Sequence, residues 1–350
     1  MTPKERFLAA VTNRDTDRPP AWMMRQAGRY LPEYRVIKKK HSTKEMMQTP
    51  EIAKEITLQP VRLVGTEAAI LYSDILMIPD AFGMGLDFVE GEGPHFAFPI
   101  DSESALNKLN TKDFLKRLSF VFETIRLCKK ELPKDYPLLG FAGAPWTVAC
   151  YMMSGGKFET TSGDVLQPFP KTFAKENPKV FEELMTLLTE ATISYLQEQA
   201  DAGVIAIQLF DTWAGLLTQE EYKKFAKPYS EKIFQALTEI PTIHYIKNSS
   251  PFLEEMIAMS SNAISIDSQT EIATVDEKTK GQKAIQGNLD PQILLTDPKT
   301  IEADLRSMLI KKKQIRKGYI INLGHGVLPQ TPVENVKCFF EKAKMLSLQI

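Results

Sequence analysis

Short apolar runs that end in a polar or charged residue recur along the chain and form its most regular pattern. Eight segments carry it, listed in chain order: Pro20–Arg25, Ala68–Asp74, Pro137–Ala144, Val204–Asp211, Thr242–Lys247, Ala263–Asp267, Lys283–Asn288 and Tyr319–His325. The third departs from the pattern because it ends in small residues. Continuous apolar runs of this length are typical of strands buried on both faces, as in parallel sheets. The pattern therefore predicts eight buried parallel strands.

Longer amphipathic segments lie between the apolar runs and predict helices. They are Thr49–Val64, Asp113–Leu132, Pro178–Ala202, Thr218–Glu239, Thr300–Lys313 and Thr331–Leu348. Proline near the start, as at Pro178 and Pro332, and glycine after the end, as at Gly203, are the expected boundary signals. Strands and helices thus alternate along the whole chain.

Eight strands alternating with helices predict a single-domain (β/α)8 barrel of the TIM type that spans residues 1–350. A doubly wound sheet is the rival fold. Its dinucleotide-binding form would place a glycine-rich turn after the first strand, and none follows Arg25. A barrel carries its active site at the carboxyl ends of its strands. The residues at those ends are Arg25, Asp74, Asp211, Lys247, Asp267, Asn288 and His325.

Composition and charge narrow the possible partners. The 350 residues include 43 basic and 44 acidic side chains, for a net charge of −1. Because no global field favours nucleic acid or an anionic membrane, an anionic ligand must be held by local clusters. The three cysteines are widely spaced and form no C-x-x-C motif, and no apolar run is long enough to span a membrane. We therefore expect a cytoplasmic protein.

Basic residues cluster directly after the first predicted strand, at Arg25, Arg29, Arg35 and Lys38. Arg25 and Arg29 are four residues apart, so one helical turn would aim both into the same cavity. Arginine suits bidentate recognition of carboxylate or phosphate. The alternative interpretation is a solvated basic face with surface ion pairs.

Further candidate groups occupy other strand ends. Asp74 ends a largely apolar run, where a carboxylate has to be paired, hydrogen-bonded or functional. Tyr151 is expected about two turns into a helix that begins at Pro145, and Thr212 follows Asp211. His325 lies between two glycines, which indicates a backbone bend. For each, a structural role is the alternative: a helix cap, a core aromatic ring or a capped loop. The spacing of histidines and cysteines argues against a catalytic zinc site.

Six sequence blocks together resemble the uroporphyrinogen decarboxylase family. They are Pro19–Arg35 (PPAWMMRQAGRYLPEYR), Tyr72–Leu76, Gly140–Gly156, Gln208–Gly215, Gly287–Pro291 and Asn322–Pro329. The resemblance spans essentially the whole chain and implies a single (β/α)8 domain, a homodimer, and catalysis without a metal or organic cofactor. It places Arg25, Gln26, Ala27, Arg29, Asp74, Tyr151, Thr212 and His325 at substrate-contacting positions. Two residues depart from the family pattern: Thr212 stands where serine is common, and Lys38 where some relatives have arginine.

The resemblance implies a specific reaction. Uroporphyrinogen III, a cyclic tetrapyrrole with eight carboxylates, would lose CO2 from four acetate arms to give coproporphyrinogen III. A pyrrole protonated at its α-carbon would accept the electrons of the broken bond, so no cofactor is needed as an electron sink. Asp74 would stabilise the growing ring cation, and Arg25 and Arg29 would orient carboxylates. Arg25, His325, Tyr151 and a bound water remain candidates for the proton donor. Two other functions stay open: a zinc-dependent methyltransferase that works with a corrinoid protein, and a non-catalytic tetrapyrrole carrier.

Overall fold

Seven parallel strands form the central sheet in the computed structural model, which describes residues 1–89, 93–156, 169–312 and 315–350. The strands of the sheet are β1 (Ala69–Ile70), β4 (Leu138–Gly143), β5 (Ala206–Asp211), β6 (Thr242–Ile246), β7 (Ala263–Ser265), β8 (Ala284–Leu289) and β9 (Tyr319–Leu323). They are bonded in the order β1-β4-β5-β6-β7-β8-β9, all in parallel. A separate antiparallel ribbon pairs β2 (Asp87–Val89) with β3 (Gly93–His95). Almost every residue of the parallel strands is buried, as the apolar runs predicted.

The eighth position of the barrel is occupied by an extended segment instead of a strand, so the prediction for Pro20–Arg25 is wrong. Only Ala21 forms a bridge there, in parallel with Ile321 of β9. On the other side, the Ala21 carbonyl accepts the Glu67 N–H at 3.0 Å, just before β1. The segment therefore closes the barrel between its two edge strands through a few bonds. The run is apolar because it is buried, and burial alone does not require a continuous ladder.

Helices surround the sheet. Their bounds are α1 Pro3–Val11, α2 Pro32–Lys38, α3 Thr43–Gln48, α4 Pro50–Leu63, α5 Met77–Ala81, α6 Glu103–Leu106, α7 Phe114–Arg117, α8 Ser119–Glu131, α9 Pro145–Met153, α10 Phe169–Glu176, α11 Pro178–Ala202, α12 Gln219–Phe225, α13 Lys227–Ala236, α14 Leu253–Ala258, α15 Ile272–Thr279, α16 Pro298–Lys311 and α17 Val333–Gln349. Short 3₁₀ turns cover Thr212–Leu216, Ser250–Phe252 and Pro291–Leu295. Among the described residues, none of these helices is long and apolar enough to cross a membrane.

Two of the predicted long helices are interrupted. The segment predicted as Thr218–Glu239 forms α12 and α13, because Pro228 has no N–H for the carbonyl four residues earlier and begins a new helix instead. The segment predicted as Asp113–Leu132 breaks at Leu118 between α7 and α8. The predictions for α4, α11, α16 and α17 are confirmed to within about two residues, although Lys313, the predicted end of α16, lies outside the described residues.

A layer of polar side chains crosses the barrel interior. The Trp22 indole N–H donates to Gln286 Oε1 at 2.9 Å, and Gln286 Nε2 donates to both Gln208 and Ser265 at 2.9 Å. All four side chains are fully buried. Buried polar groups that satisfy one another rigidify a core. The layer connects β5, β7 and β8 to the segment that closes the barrel, at Trp22, three residues before Arg25.

Candidate active site

Polar side chains collect at one mouth of the barrel, as the strand-end rule predicted. Asp211 is the last residue of β5, Lys247 directly follows β6, and Asp267 lies two residues beyond β7. Asn288 is within β8, and His325 lies two residues beyond β9. Because the seven strands are parallel, these positions share the carboxyl edge of the sheet.

The segment that carries Arg25 is held by the loop around β9. The Met24 N–H donates to Asn322 Oδ1 at 3.1 Å, and the Val327 N–H donates to the Met24 carbonyl at 2.9 Å. Arg25 itself has a left-handed backbone with φ of 61°. Its side chain lies across Gly326, where an added Cβ would be 2.3 Å from Arg25 Cδ. The missing side chain at Gly326 therefore makes room for the Arg25 guanidinium group beside His325.

His325 lies at a bend, as expected, and packs against a buried aromatic ring. Its imidazole is nearly parallel to the Tyr245 ring, with centroids 6.4 Å apart, and the Tyr245 hydroxyl donates to the Gly324 carbonyl. Burial lowers the pKa of His325 to about 4, helped by the charges of Arg25 and Lys247 and opposed by Asp267. The imidazole is therefore neutral at pH 7, with one N–H to donate and one nitrogen to accept.

Asp74 extends from the loop that follows β1. The strand ends at Ile70, although the Leu71 N–H still donates to the Leu139 carbonyl at 3.0 Å. Asp74 Oδ1 accepts the Leu76 N–H at 2.8 Å. Burial raises the pKa of Asp74, whereas the Leu76 N–H and the charge of Arg25 lower it. The carboxylate and the Arg25 guanidinium group thus act on each other across the barrel mouth.

Tyr151 contacts the ring of Trp213, the residue that follows Thr212. Tyr151 lies on the second turn of α9, and its half-buried ring contacts the Trp213 ring edge-on, with centroids 5.9 Å apart. Thr212, also half-buried, opens the 3₁₀ turn that follows β5. The helix start at Pro145 is confirmed.

The remaining predicted residues lie in different environments. Gln26 is fully buried: its Nε2 donates to the Ala68 carbonyl at 2.8 Å, and its Oε1 accepts the Met23 N–H and the Thr66 hydroxyl. That side chain joins the Arg25 segment to β1. Ala27 is half-buried and Arg29 is exposed.

The predicted helical turn carrying Arg25 and Arg29 does not exist. Residues 25–30 form irregular turns, and the next helix begins only at Pro32. Lys38 is exposed in that helix, where its Nζ contacts the Thr43 hydroxyl.

The predicted substrate contacts do not include Asp211, although the sequence places this acid at a strand end. Asp211 is fully buried, and its Oδ1 accepts the Thr147 hydroxyl at 2.7 Å. The available signal was its position at the end of an apolar run, which it shares with Asp74. In the part of the chain that the structure describes, no group of three or more His, Cys, Asp or Glu side chains is arranged to hold a metal ion.

Fold and site together define a barrel enzyme whose mouth combines an arginine, a lysine and buried carboxyl groups, an arrangement suited to an anionic substrate. The model of one family, described as "Uroporphyrinogen decarboxylase (URO-D)", matches residues 2–346. The chain belongs to the uroporphyrinogen decarboxylase family.

Curated relatives carry the same name. "Uroporphyrinogen decarboxylase" of Legionella pneumophila (strain Lens) is 40% identical over 348 residues, covering 98% of this chain and 97% of the relative. The protein of that name from Xylella fastidiosa (strain Temecula1) is 40% identical over 358 residues, covering 99% of each chain. Because these alignments span nearly the whole chain, they include the first sequence block, Pro19–Arg35.

Solved structures confirm the barrel. A methyltransferase from Methanosarcina mazei superposes with a TM-score of 0.82 at 20% identity and covers 99% of both chains. A B12-independent methionine synthase from Shewanella sp. W3-18-1 gives a TM-score of 0.54 at 11% identity, covering 89% of this chain and 92% of its own. At such identities the likeness concerns the fold alone.

Proposed function

We propose that this protein, acting as a single domain over residues 1–350, removes CO2 from the four acetate side chains of uroporphyrinogen III to give coproporphyrinogen III. Within this family, one observation carries the proposal: Asp74 and Arg25 interact electrostatically at the barrel mouth. Burial raises the pKa of Asp74, and the charge of Arg25 lowers it. A carboxylate and a guanidinium group at one mouth match a substrate that offers both pyrrole N–H groups and carboxylates.

Asp74 is assigned the central role. A carboxylate accepts hydrogen bonds from pyrrole N–H groups when the macrocycle binds. When a pyrrole is protonated at its α-carbon, the electrons of the acetate C–C bond flow into the ring and CO2 leaves. The methylene carbon is then protonated to form the methyl group, and the α-carbon returns its proton. Asp74 stabilises the cation formed on the way, which is electrostatic preorganisation.

Arg25 and Arg29 are assigned to the substrate carboxylates. The Arg25 side chain lies against Gly326 and acts electrostatically on Asp74, so it is suited to orient the reacting acetate. Arg29 is exposed, and we assign it to another of the substrate carboxylates. Tyr151, Thr212 and His325 are assigned to the macrocycle wall.

Gln26 and Ala27 complete the predicted contact set by family resemblance. Because the Gln26 side chain is already bonded within the protein, we assign its substrate contact to the backbone.

Candidates for the proton donor differ in acidity. Guanidinium groups are very weak acids, which makes Arg25 a poor proton donor. His325 has a lowered pKa, so the free protein presents it as a neutral imidazole at pH 7. A carboxylate-rich substrate bound beside it would raise that pKa and make it a better acid. Tyr151 and a bound water complete the set.

An assay of CO2 release against binding tests the proposal. Uroporphyrinogen III would be supplied anaerobically at substoichiometric amounts, and bound ligand and released CO2 would be measured together. Decarboxylation supports the proposal, whereas binding without CO2 release would support a carrier. Methyl transfer that requires zinc and a corrinoid protein would support the other alternative. The homodimer implied by the family resemblance and the cytoplasmic location expected from the composition stay predictions.

A further inference from the structure

Asp211 is a buried acid that the proposed chemistry does not use. It ends β5, is fully buried, and immediately precedes Thr212. Its Oδ1 accepts the Thr147 hydroxyl, while Oδ2 has no hydrogen-bond partner among the described residues. Buried carboxyl oxygens are usually bonded, so a half-satisfied acid beside a predicted substrate contact calls for a role.

Thr147 connects this acid to the turn that carries Thr212. Its Oγ1 donates to Asp211 and also accepts the Trp213 N–H at 3.1 Å. Because the hydroxyl hydrogen is used by Asp211, a lone pair of Oγ1 is available for the Trp213 N–H. One side chain of α9 thus fixes the end of β5 and the start of the 3₁₀ turn.

The same connection reaches Tyr151. Thr147 and Tyr151 are four residues apart on α9 and therefore project from one side of that helix. The Trp213 ring, whose backbone N–H bonds Thr147, contacts the Tyr151 ring edge-on. Two residues of the proposed macrocycle wall, Thr212 and Tyr151, are consequently held by one hydrogen-bonded unit.

The surroundings of Asp211 favour its neutral form. Burial raises its pKa to about 7, and the Thr147 hydroxyl and N–H lower it only in part. The titratable groups that face it are the Cys150 thiol from α9 and the Tyr222 phenol from α12, whose pKa values burial and Asp211 raise well above their usual range. The Cys150 thiol and the Tyr222 phenol therefore stay neutral and form no ion pair with Asp211. What Asp211 contributes here is an acceptor oxygen for the Thr147 hydroxyl.

We propose that Asp211 is a positioning residue: through Thr147 it holds Thr212 and Tyr151 where the bound macrocycle needs them. This inference rests on the proposed decarboxylase function. Misplacing a contact by about 1 Å can cost roughly 10²-fold in rate, so loosening this unit should lower kcat measurably.

Four variants test the connection. Thr147→Val removes the hydroxyl at nearly constant volume, and Thr147→Ser retains it. Asp211→Leu removes the acceptor, and Asp211→Asn retains one acceptor oxygen. Thr124→Val is the matched control, because Thr124 is also fully buried on a helix and its hydroxyl donates to the Phe120 carbonyl within α8, its one hydrogen bond among the described residues.

We expect Thr147→Val and Asp211→Leu to lower kcat by about tenfold or more while KM changes by less than about threefold. Thr147→Ser and Asp211→Asn should stay within about threefold of the wild-type kcat, and the control within about twofold. If Thr147→Val fails to fold, the Asp211 pair still decides the question. Equal kcat values for Asp211→Leu and Asp211→Asn, or for Thr147→Val and the control, would overturn the proposal.

Amide hydrogen exchange at Trp213 gives a readout that does not depend on activity. Its N–H bonds Thr147, so exchange should be faster by about tenfold or more in Thr147→Val and unchanged in the control. Unchanged exchange in Thr147→Val would contradict the connection itself. If the wild type released no CO2, the proposed function would fail, while the exchange data would still report on the connection.

Discussion

Replacing Asp74 with asparagine tests the electrostatic part of the mechanism. The change is nearly isosteric, and the amide oxygen still accepts the Leu76 N–H that now bonds Oδ1 at 2.8 Å. The backbone of the loop should therefore keep its position. What disappears is the negative charge, which matters most when the pyrrole ring becomes cationic.

The size of the effect follows from Coulomb's law. A ring cation about 5 Å from Asp74, at an effective dielectric constant of about 20, is stabilised by about 3 kcal/mol. This corresponds to a loss of about 10²-fold in kcat, in the range observed when one preorganised group is removed. Substrate binding should weaken much less, because the pyrrole ring carries no positive charge until it is protonated.

Steady-state kinetics with a direct binding measurement checks this expectation. Asp80→Asn is the matched control, since Asp80 is a half-buried carboxylate six residues away that pairs with Lys44 at 2.9 Å and accepts the Leu86 N–H at 3.1 Å. The control should retain kcat within about twofold. A near wild-type kcat for Asp74→Asn would show that Asp74 only caps the Leu76 turn, and the charge-stabilisation mechanism would have to be abandoned.

Three further predictions concern the arginine, the absence of a metal requirement and acid stability. Arg25→Lys keeps the charge but loses the planar fork, so kcat/KM should fall at least tenfold with the fold intact; a change of less than about twofold would make Arg25 peripheral. Dialysis against a chelator should leave the rate unchanged, and a loss reversed by added zinc would refute the cofactor-free reaction. Burial lowers the pKa of His244 to about 3, so the unfolded chain binds one more proton between about pH 6.5 and 3, and stability falls as pH falls through that window. His244→Leu should reduce this slope by up to about 1.4 kcal/mol per pH unit, measured by urea unfolding; an unchanged slope would contradict a buried neutral imidazole.

The sequence predicted correctly which segments of the chain are buried. Seven of the eight apolar runs contain strands of the sheet, because a strand covered on both faces needs continuous apolar residues. Residues 20–24 of the first run are equally buried, whereas Arg25 is exposed, and only Ala21 pairs with a strand. Periodicity predicts which side chains are buried, but it does not predict which backbone groups form hydrogen bonds with each other.

In the candidate site, too, the sequence predicted where residues lie but not their local backbone or their long-range bonds. The strand-end rule correctly brought Lys247, Asp267 and His325 to one mouth, since parallel strands share an edge. The helical turn predicted for Arg25 and Arg29 is absent because Arg25 adopts a left-handed backbone, which its residue type does not signal. The bond from Thr147 to Asp211 joins residues 64 apart in sequence, so only the folded barrel brings them together.

Mass analysis of the product formed in D2O by chelator-treated protein tests the central claim most directly. Uroporphyrinogen III would be incubated anaerobically with the metal-free protein, and the tetrapyrrole recovered at completion. A pyrrole electron sink predicts loss of four CO2 molecules and one solvent deuteron in each of four new methyl groups, with no added cofactor. Recovery of unchanged uroporphyrinogen III from folded protein that binds it, or decarboxylation only after a metal or organic cofactor is supplied, would contradict the account.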